Sequence, residues 1–195
     1  MGVVHQPNRL AGLQVVEQMP NQCGFAALIR HLLNNLEPSH TVGLVYNTHR
    51  DIGDLLEWIM LAFGLPYEGI SKVGLYDAFQ KFLIAQHGLG KKVLLIVDEA
   101  QNINPNALES LRMLSNINAD KFQLLQIILV GQPELKKMLT WPDLQQFAQR
   151  VAVDFHIKPF DATDVQNYIQ HRLKIAGREA PLFTAEACAD RKSVV

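Results

Sequence analysis

The residues best equipped for chemistry are Asp98 and Glu99, which close the run KKVLLIVDE at residues 91–99. A run that is apolar without alternation suits a strand covered on both faces, as in a parallel sheet. Ligands of open α/β sheets bind beyond the carboxyl ends of such strands. Two acids leaving a strand there suit phosphoryl transfer: the first holds Mg2+, often through water, and the second positions the attacking water. An ordinary strand followed by an acidic turn carries the same pattern, so the pair alone leaves both readings open.

The elements that would hold this pair alternate between strand and helix. LQVVEQ (13–18), TVGLVYN (41–47), FQLLQIILVG (122–131) and VAVDFHI (151–157) read as the other strands. Phe25, Leu28, Ile29, Leu32, Leu33 and Leu36 recur at helical spacing, as do Ile52, Leu55, Leu56, Ile59, Met60 and Phe63, with Asp51 near the start of the second helix and Gly64 near its end. A third helix is predicted over 74–87. Asn104 followed by Pro105 reads as an N-cap and first helical position, opening a helix through Leu108, Leu111 and Leu114. A last helix runs from about Asp161 to Gly177. This alternation predicts a parallel sheet with helices on both faces.

Three segments in order carry a family resemblance: VLLIVDEAQNINPNALESLRMLSN, LLQIILVGQPEL and LQQFAQRVAVDFHIKPFDATDVQNYIQHRLKIAG. The chain resembles the ExeA/GspA group of AAA+ ATPases, bacterial proteins of the general secretion pathway and of MSHA pilus biogenesis. The likeness covers roughly residues 13–187 and is densest over 93–177. It implies a three-layer α/β/α P-loop core with a five-stranded parallel sheet in the order 5-1-4-3-2. It also implies roles: Asp98 for Mg2+, Glu99 for activating water, Gln132 as the polar sensor near the γ-phosphate, and Arg150 as a finger reaching a neighbouring subunit's nucleotide. Asn47 matches a polar residue that restrains the catalytic acid. Gln132 equally suits a loop-opening residue before Pro133, Arg150 a surface arginine at a helix C-terminus, and Asn47 a turn.

The resemblance places a phosphate loop, G-x-x-x-x-G-K-[ST], at MPNQCGFA, residues 19–26. Gln22, Cys23, Gly24, Phe25 and Ala26 would form its nucleotide-binding end, but only Gly24 keeps the pattern. Phe25 stands at the lysine that neutralises β- and γ-phosphate charge, and Ala26 at the hydroxyl that ligates Mg2+. Met19 and Gln22 replace glycines that let the backbone curl around phosphate. Losing one charged anchor commonly costs about 1.5–3 kcal/mol. ATP and Mg2+, the cofactors implied by the family, are therefore expected to bind weakly or not at all. Phe25 shares the apolar face of Leu28, Ile29, Leu32 and Leu33 and is expected to pack inward.

The domain expectation is a core over residues 1–183, with 184–195 the truncated start of the family's helical lid. The 195 residues suffice for a sizeable core, with 48% hydrophobic and 19% charged residues. A net charge of -1 gives no bulk attraction to nucleic acid or membrane, and basic and aromatic residues do not interleave in a stripe. A DNA-transaction role is accordingly the least supported of three readings. The other two are a weak ATPase of secretion or pilus assembly, and a non-catalytic interaction subunit or decayed fragment acting through partner proteins, in a homo- or hetero-oligomer. Cys23 and Cys188 are too few for a disulfide framework, and the seven histidines show no metal-ligand spacing. No apolar run approaches the roughly 18 residues that span a bilayer. The first twelve residues lack a signal-peptide pattern, and Gln6 stands where myristoylation wants Ser or Thr. The expected place is the cytoplasm, peripheral to the bacterial inner membrane through partners.

Overall fold

The computed structural model describes residues 13–17, 23–46, 54–119, 122–157, 160–178, 182–184 and 187. In chain order the elements are β1 (Leu13–Glu17), α1 (Cys23–Asn35), β2 (His40–Val45), α2 (Leu55–Ala62), α3 (Lys72–Gly88) and β3 (Lys92–Val97). There follow a 3-10 turn (Ala100–Asn102), α4 (Pro105–Ser115), β4 (Asn118–Ala119), β5 (Phe122–Gln123) and β6 (Leu125–Gly131). The last are α5 (Pro133–Leu139), a second 3-10 turn (Pro142–Leu144), α6 (Gln145–Ala148), β7 (Val151–His156) and α7 (Ala162–Ile175). The chain divides into two compact units, Met1–Ile157 and Lys158–Val195.

Five strands of the first unit form one sheet in the order β2-β3-β6-β1-β7, and every neighbouring pair is parallel. The two faces of β3 explain its composition. Val93, Leu95 and Val97 face a core shared with α2, α3, α4 and α5, built from residues such as Ile59, Phe79, Leu83, Leu108, Leu111 and Leu135. Leu94 and Ile96 face the opposite core, with Ile29 of α1 and Val130 of β6, and with Leu32, Leu33 and Leu36 packed against it. A strand between two cores has no solvent face to mark with a polar residue, which is why its sequence does not alternate. Gly43 of β2 makes room for the first core: a side chain there would meet the Phe63 ring at 2.5 Å. That ring packs against Phe79 and Phe82, with centroids 5.6 and 5.3 Å away.

Helix starts follow local chemistry. Asp54 caps α2 by accepting from the Leu56 N–H at 3.1 Å, so among the described residues this helix begins later than the apolar spacing alone suggests. Asp51 and Ile52 lie outside the described residues. Ser71 caps α3 through the Gly74 N–H, starting it at Lys72. Asn104 caps α4 through the Ala107 N–H at 2.8 Å, with Pro105 at the first helical position as expected.

The predicted strand over 122–131 is two elements. Phe122–Gln123 pairs antiparallel with Asn118–Ala119 in a small hairpin, and only Leu125–Gly131 joins the main sheet. The sequence hides this break because Phe122 and Leu125 are both apolar, although Phe122 is 62% exposed and Leu125 is buried. In the second unit, α7 opens with a reciprocal capping box between Asp161 and Asp164 and is followed by Gly177 at φ 81°. Most of the expected lid segment, 185–186 and 188–195, lies outside the described residues, Cys188 included.

Candidate functional site

Asp98 and Glu99 lie where the carboxyl end of β3 leaves the sheet. The Asp98 N–H donates to the Val45 carbonyl at 2.9 Å, which carries the β2–β3 ladder one residue beyond the strand. The chain then turns sharply. Glu99 has φ 53° and ψ 38°, a left-handed conformation that no other non-glycine residue adopts among those described. That conformation costs an L-residue roughly 1–2 kcal/mol, and such strain clusters at functional sites. The turn lets the Glu99 N–H donate to Asp98 Oδ1 at 2.8 Å. Asp98 is half-buried, and burial raises its carboxyl above the ordinary range. The Glu99 N–H hydrogen bond opposes that rise and the Glu99 charge adds to it.

Two side-chain amides converge on the Glu99 carboxylate. Gln101 Nε2 donates a short hydrogen bond to Glu99 Oε2. Gln132 Nε2 lies 3.5 Å from the same oxygen, at the outer limit of a hydrogen bond. Gln101 also reaches the adjacent strand end, its Oε1 accepting from the Gln132 N–H at 3.0 Å. Gly131 provides the space, since a side chain there would meet Gln101 Oε1 at 2.7 Å. Asp98, Glu99 and Gln132 are thus brought together as the sequence suggested, and Gln101 is the member that sequence reasoning passed over. The available signal was Gly131, a glycine closing an apolar strand, where a close approach is a standard cause.

Arg150 is not brought to this cluster within the chain. It is exposed and lies between Gln149, the C-cap of α6, and the first residue of β7. Val151 is in register with Leu13, Leu13 with Ile127, and Ile127 with Leu95. Arg150 therefore sits three strands across and four rows back from Asp98, roughly 20 Å at ~4.8 Å per strand and ~3.3 Å per residue. Asn47 and Gln22 lie outside the described residues. Cys23, Gly24, Phe25 and Ala26 fall in the first turn of α1, and their side chains lie outside the described residues too, so Phe25's expected packing goes with them.

The order of the sheet puts three strand ends side by side: that of β3 with the acid pair, that of β6 with Gln132, and that of β1. Open α/β sheets bind ligands at such a row of strand ends. Among the described residues no group of three or more His, Cys, Asp or Glu could hold a metal ion alone. Asp98 offers the single carboxylate that Mg2+ takes when water and phosphates complete its shell. Residues 25 and 26 are Phe and Ala, which carry neither a cation for phosphate nor a hydroxyl for a metal.

The comparisons with known proteins agree on the fold. The structure is similar to the Aeropyrum pernix ORC2 protein in its ADP form, with a TM-score of 0.62 and 15% identity, covering 85% of this chain and 47% of that one. It is similar to the ORC1 protein of the same organism in complex with DNA, with a TM-score of 0.59 and 17% identity, covering 84% and 44%. Cdc6p from Pyrobaculum aerophilum gives 0.56 and 12%, covering 86% and 45%. Identities this low show a common fold alone. In sequence the chain is 38% identical over 165 residues to general secretion pathway protein A of Aeromonas hydrophila. That alignment takes in 84% of this chain but only 30% of the relative's length. The profile of the family described as AAA domain matches residues 21–139, more than half of the 195-residue chain and both sides of the acid pair, so the chain belongs to the AAA domain family.

Proposed function

We propose that this chain is an AAA-type ATPase domain of the secretion kind. By this reading it keeps the half of the site that holds metal and water, has lost most of its grip on phosphate, and works chiefly as an interaction subunit. The carrying observation is the contrast between an organised Asp98–Glu99–Gln101–Gln132 cluster and a phosphate-loop position that reads Phe25-Ala26. Counting the sheet's five strands alone, the order β7-β1-β6-β3-β2 is read as the 5-1-4-3-2 of the secretion-type ATPases, which supports the assignment.

Lineage supplies the partner class. The similarity to general secretion pathway protein A favours components of secretion or pilus assembly at the bacterial inner membrane. No helix among the described residues is long and apolar enough to cross a membrane; by this reading the domain acts at the cytoplasmic side of that membrane together with partners. The distance of Arg150 from its own acid pair suits a role in trans: in an oligomer it would serve a neighbour with an intact phosphate loop.

A second reading, a slow but genuine ATPase, is favoured by one observation: Glu99 is still strained into place and held by two amides. Titration with a fluorescent ATP analogue in the presence of Mg2+ separates the two. No saturation in the micromolar range is expected. Micromolar binding that disappears in Asp98→Ala would establish the second reading and overturn the first.

A further inference from the structure

We propose that Gln101 is the positioning residue of the Glu99 carboxylate. Through one amide it ties that carboxylate to the backbone at the end of the neighbouring strand. The proposal deepens the reading above, on which its meaning for hydrolysis rests.

The orientation of the Gln101 amide follows from its surroundings. The Gln132 backbone N–H only donates, so the group facing it at 3.0 Å must be Oε1. The NH2 end is then turned to Glu99 Oε2, a carboxylate oxygen that only accepts when ionised. Hydrogen bonds to a charged acceptor are the stronger class. Both partners sit directly beyond strands of the main sheet: Glu99 in the turn after β3, and Gln132 at the N-cap of α5 after β6. Gly131 is there for space. Its conformation is not left-handed, yet a side chain at that position would displace Gln101 Oε1 and press on Leu135 Cδ2 at 3.1 Å. The fold therefore offers a way to expel the amide without altering Gln101, by Gly131→Ala.

A bracing role alone needs only the Oε1 end. A positioning role needs both ends. Gln101→Glu separates them, because a carboxylate still accepts from the Gln132 N–H but repels Glu99. Gln101→Met keeps the size and removes both bonds.

The test is side-chain amide hydrogen exchange by NMR on the full, nucleotide-free chain. The Gln101 NH2 protons should exchange about tenfold faster in Glu99→Ala and in Gly131→Ala, the scale of one hydrogen bond to a charged group. Unchanged exchange in both variants overturns the proposal. A second arm uses the Phe25→Lys, Ala26→Thr chain and measures Mg-ATP turnover. There Gln101→Glu should lower kcat as much as Gln101→Met, about tenfold, with KM held within a factor of about two. A Gln101→Glu variant as active as its parent would reduce Gln101 to a brace and also overturn the proposal. If the repaired chain shows no turnover at all, the functional reading is what has failed, and the exchange experiment still decides the role of Gln101.

Discussion

Two parts of the candidate site, the acid cluster at the ends of β3 and β6 and the phosphate loop expected at residues 19–26, differ in the chemistry their residue types offer. At the first, four residues from two strand ends are joined by side-chain and backbone hydrogen bonds, over a floor of fully buried β3 residues. At the second, the sequence offers neither the cation nor the hydroxyl that phosphate and metal would need. The difference teaches what each half depends on. The acid half is built on the main core: Asp98 extends a sheet ladder, and Gln101 lies over Gly131. Dismantling it would disturb packing that the fold requires. A phosphate loop depends on a few ligand-binding residue types, a lysine and a Ser or Thr above all, and residues 25 and 26 are Phe and Ala.

The largest effect should come from removing the floor of the acid half. Ile96 is fully buried two residues before Asp98, in the core that faces α1. Ile96→Ala should cost about 2–5 kcal/mol by creating a cavity, read as a lower midpoint in urea unfolding. A loss below about 1 kcal/mol, the range of surface substitutions, would mean that the acid half does not rest on β3 as described.

A smaller effect sharpens the comparison through charge. Asp98 carries a carboxyl whose affinity for a proton is raised by burial. Its folded pKa lies above the unfolded value, so the native state binds the proton more tightly, and stability falls as pH rises between those two values. At neutral pH the ionised Asp98 therefore opposes folding when no cation is bound. Asp98→Asn keeps an oxygen that can accept from the Glu99 N–H and should raise stability at neutral pH. The advantage should vanish once pH drops below the unfolded carboxylate range, near pH 4. Urea midpoints of both proteins from about pH 3 to 7.5 check this; an advantage that persists at low pH would trace the gain to packing instead of charge.

Much of this was legible in the sequence where a residue's neighbours in the chain decide its fate. The Asn104–Pro105 cap needs only the next few backbone N–H groups, and the unbroken run before Asp98 reports a strand buried on both faces. Of the three segments that carried the family resemblance, the AAA domain match includes the acid segment and the one around Gln132, and stops before the third. What escaped depends on distant parts of the chain. Gln101 gains its role from Gly131 and Gln132, some thirty positions on, and no periodicity records that proximity. The β4–β5 hairpin escaped because Phe122 and Leu125 are equally apolar, although one is largely exposed and the other buried. Arg150 was legible as a residue before the last strand, but only the sheet register shows how far that places it from Asp98.

The central claim is that the site lacks its phosphate half and keeps its acid half. The most direct measurement is the melting temperature, with and without Mg-ATP, of the parent chain and of the Phe25→Lys, Ala26→Thr chain. A ligand at about 100 times its Kd adds roughly 2.7 kcal/mol to stability, and a domain of this size gains roughly 2–4 °C per kcal/mol. The account predicts that the parent is indifferent to Mg-ATP. With Phe25 expected to pack inward beside Leu28 and Ile29, it also predicts that the double variant melts lower than the parent without ligand and recovers by several degrees with it. A parent that gains several degrees from Mg-ATP, or a double variant that is as stable as the parent and gains nothing, would contradict it.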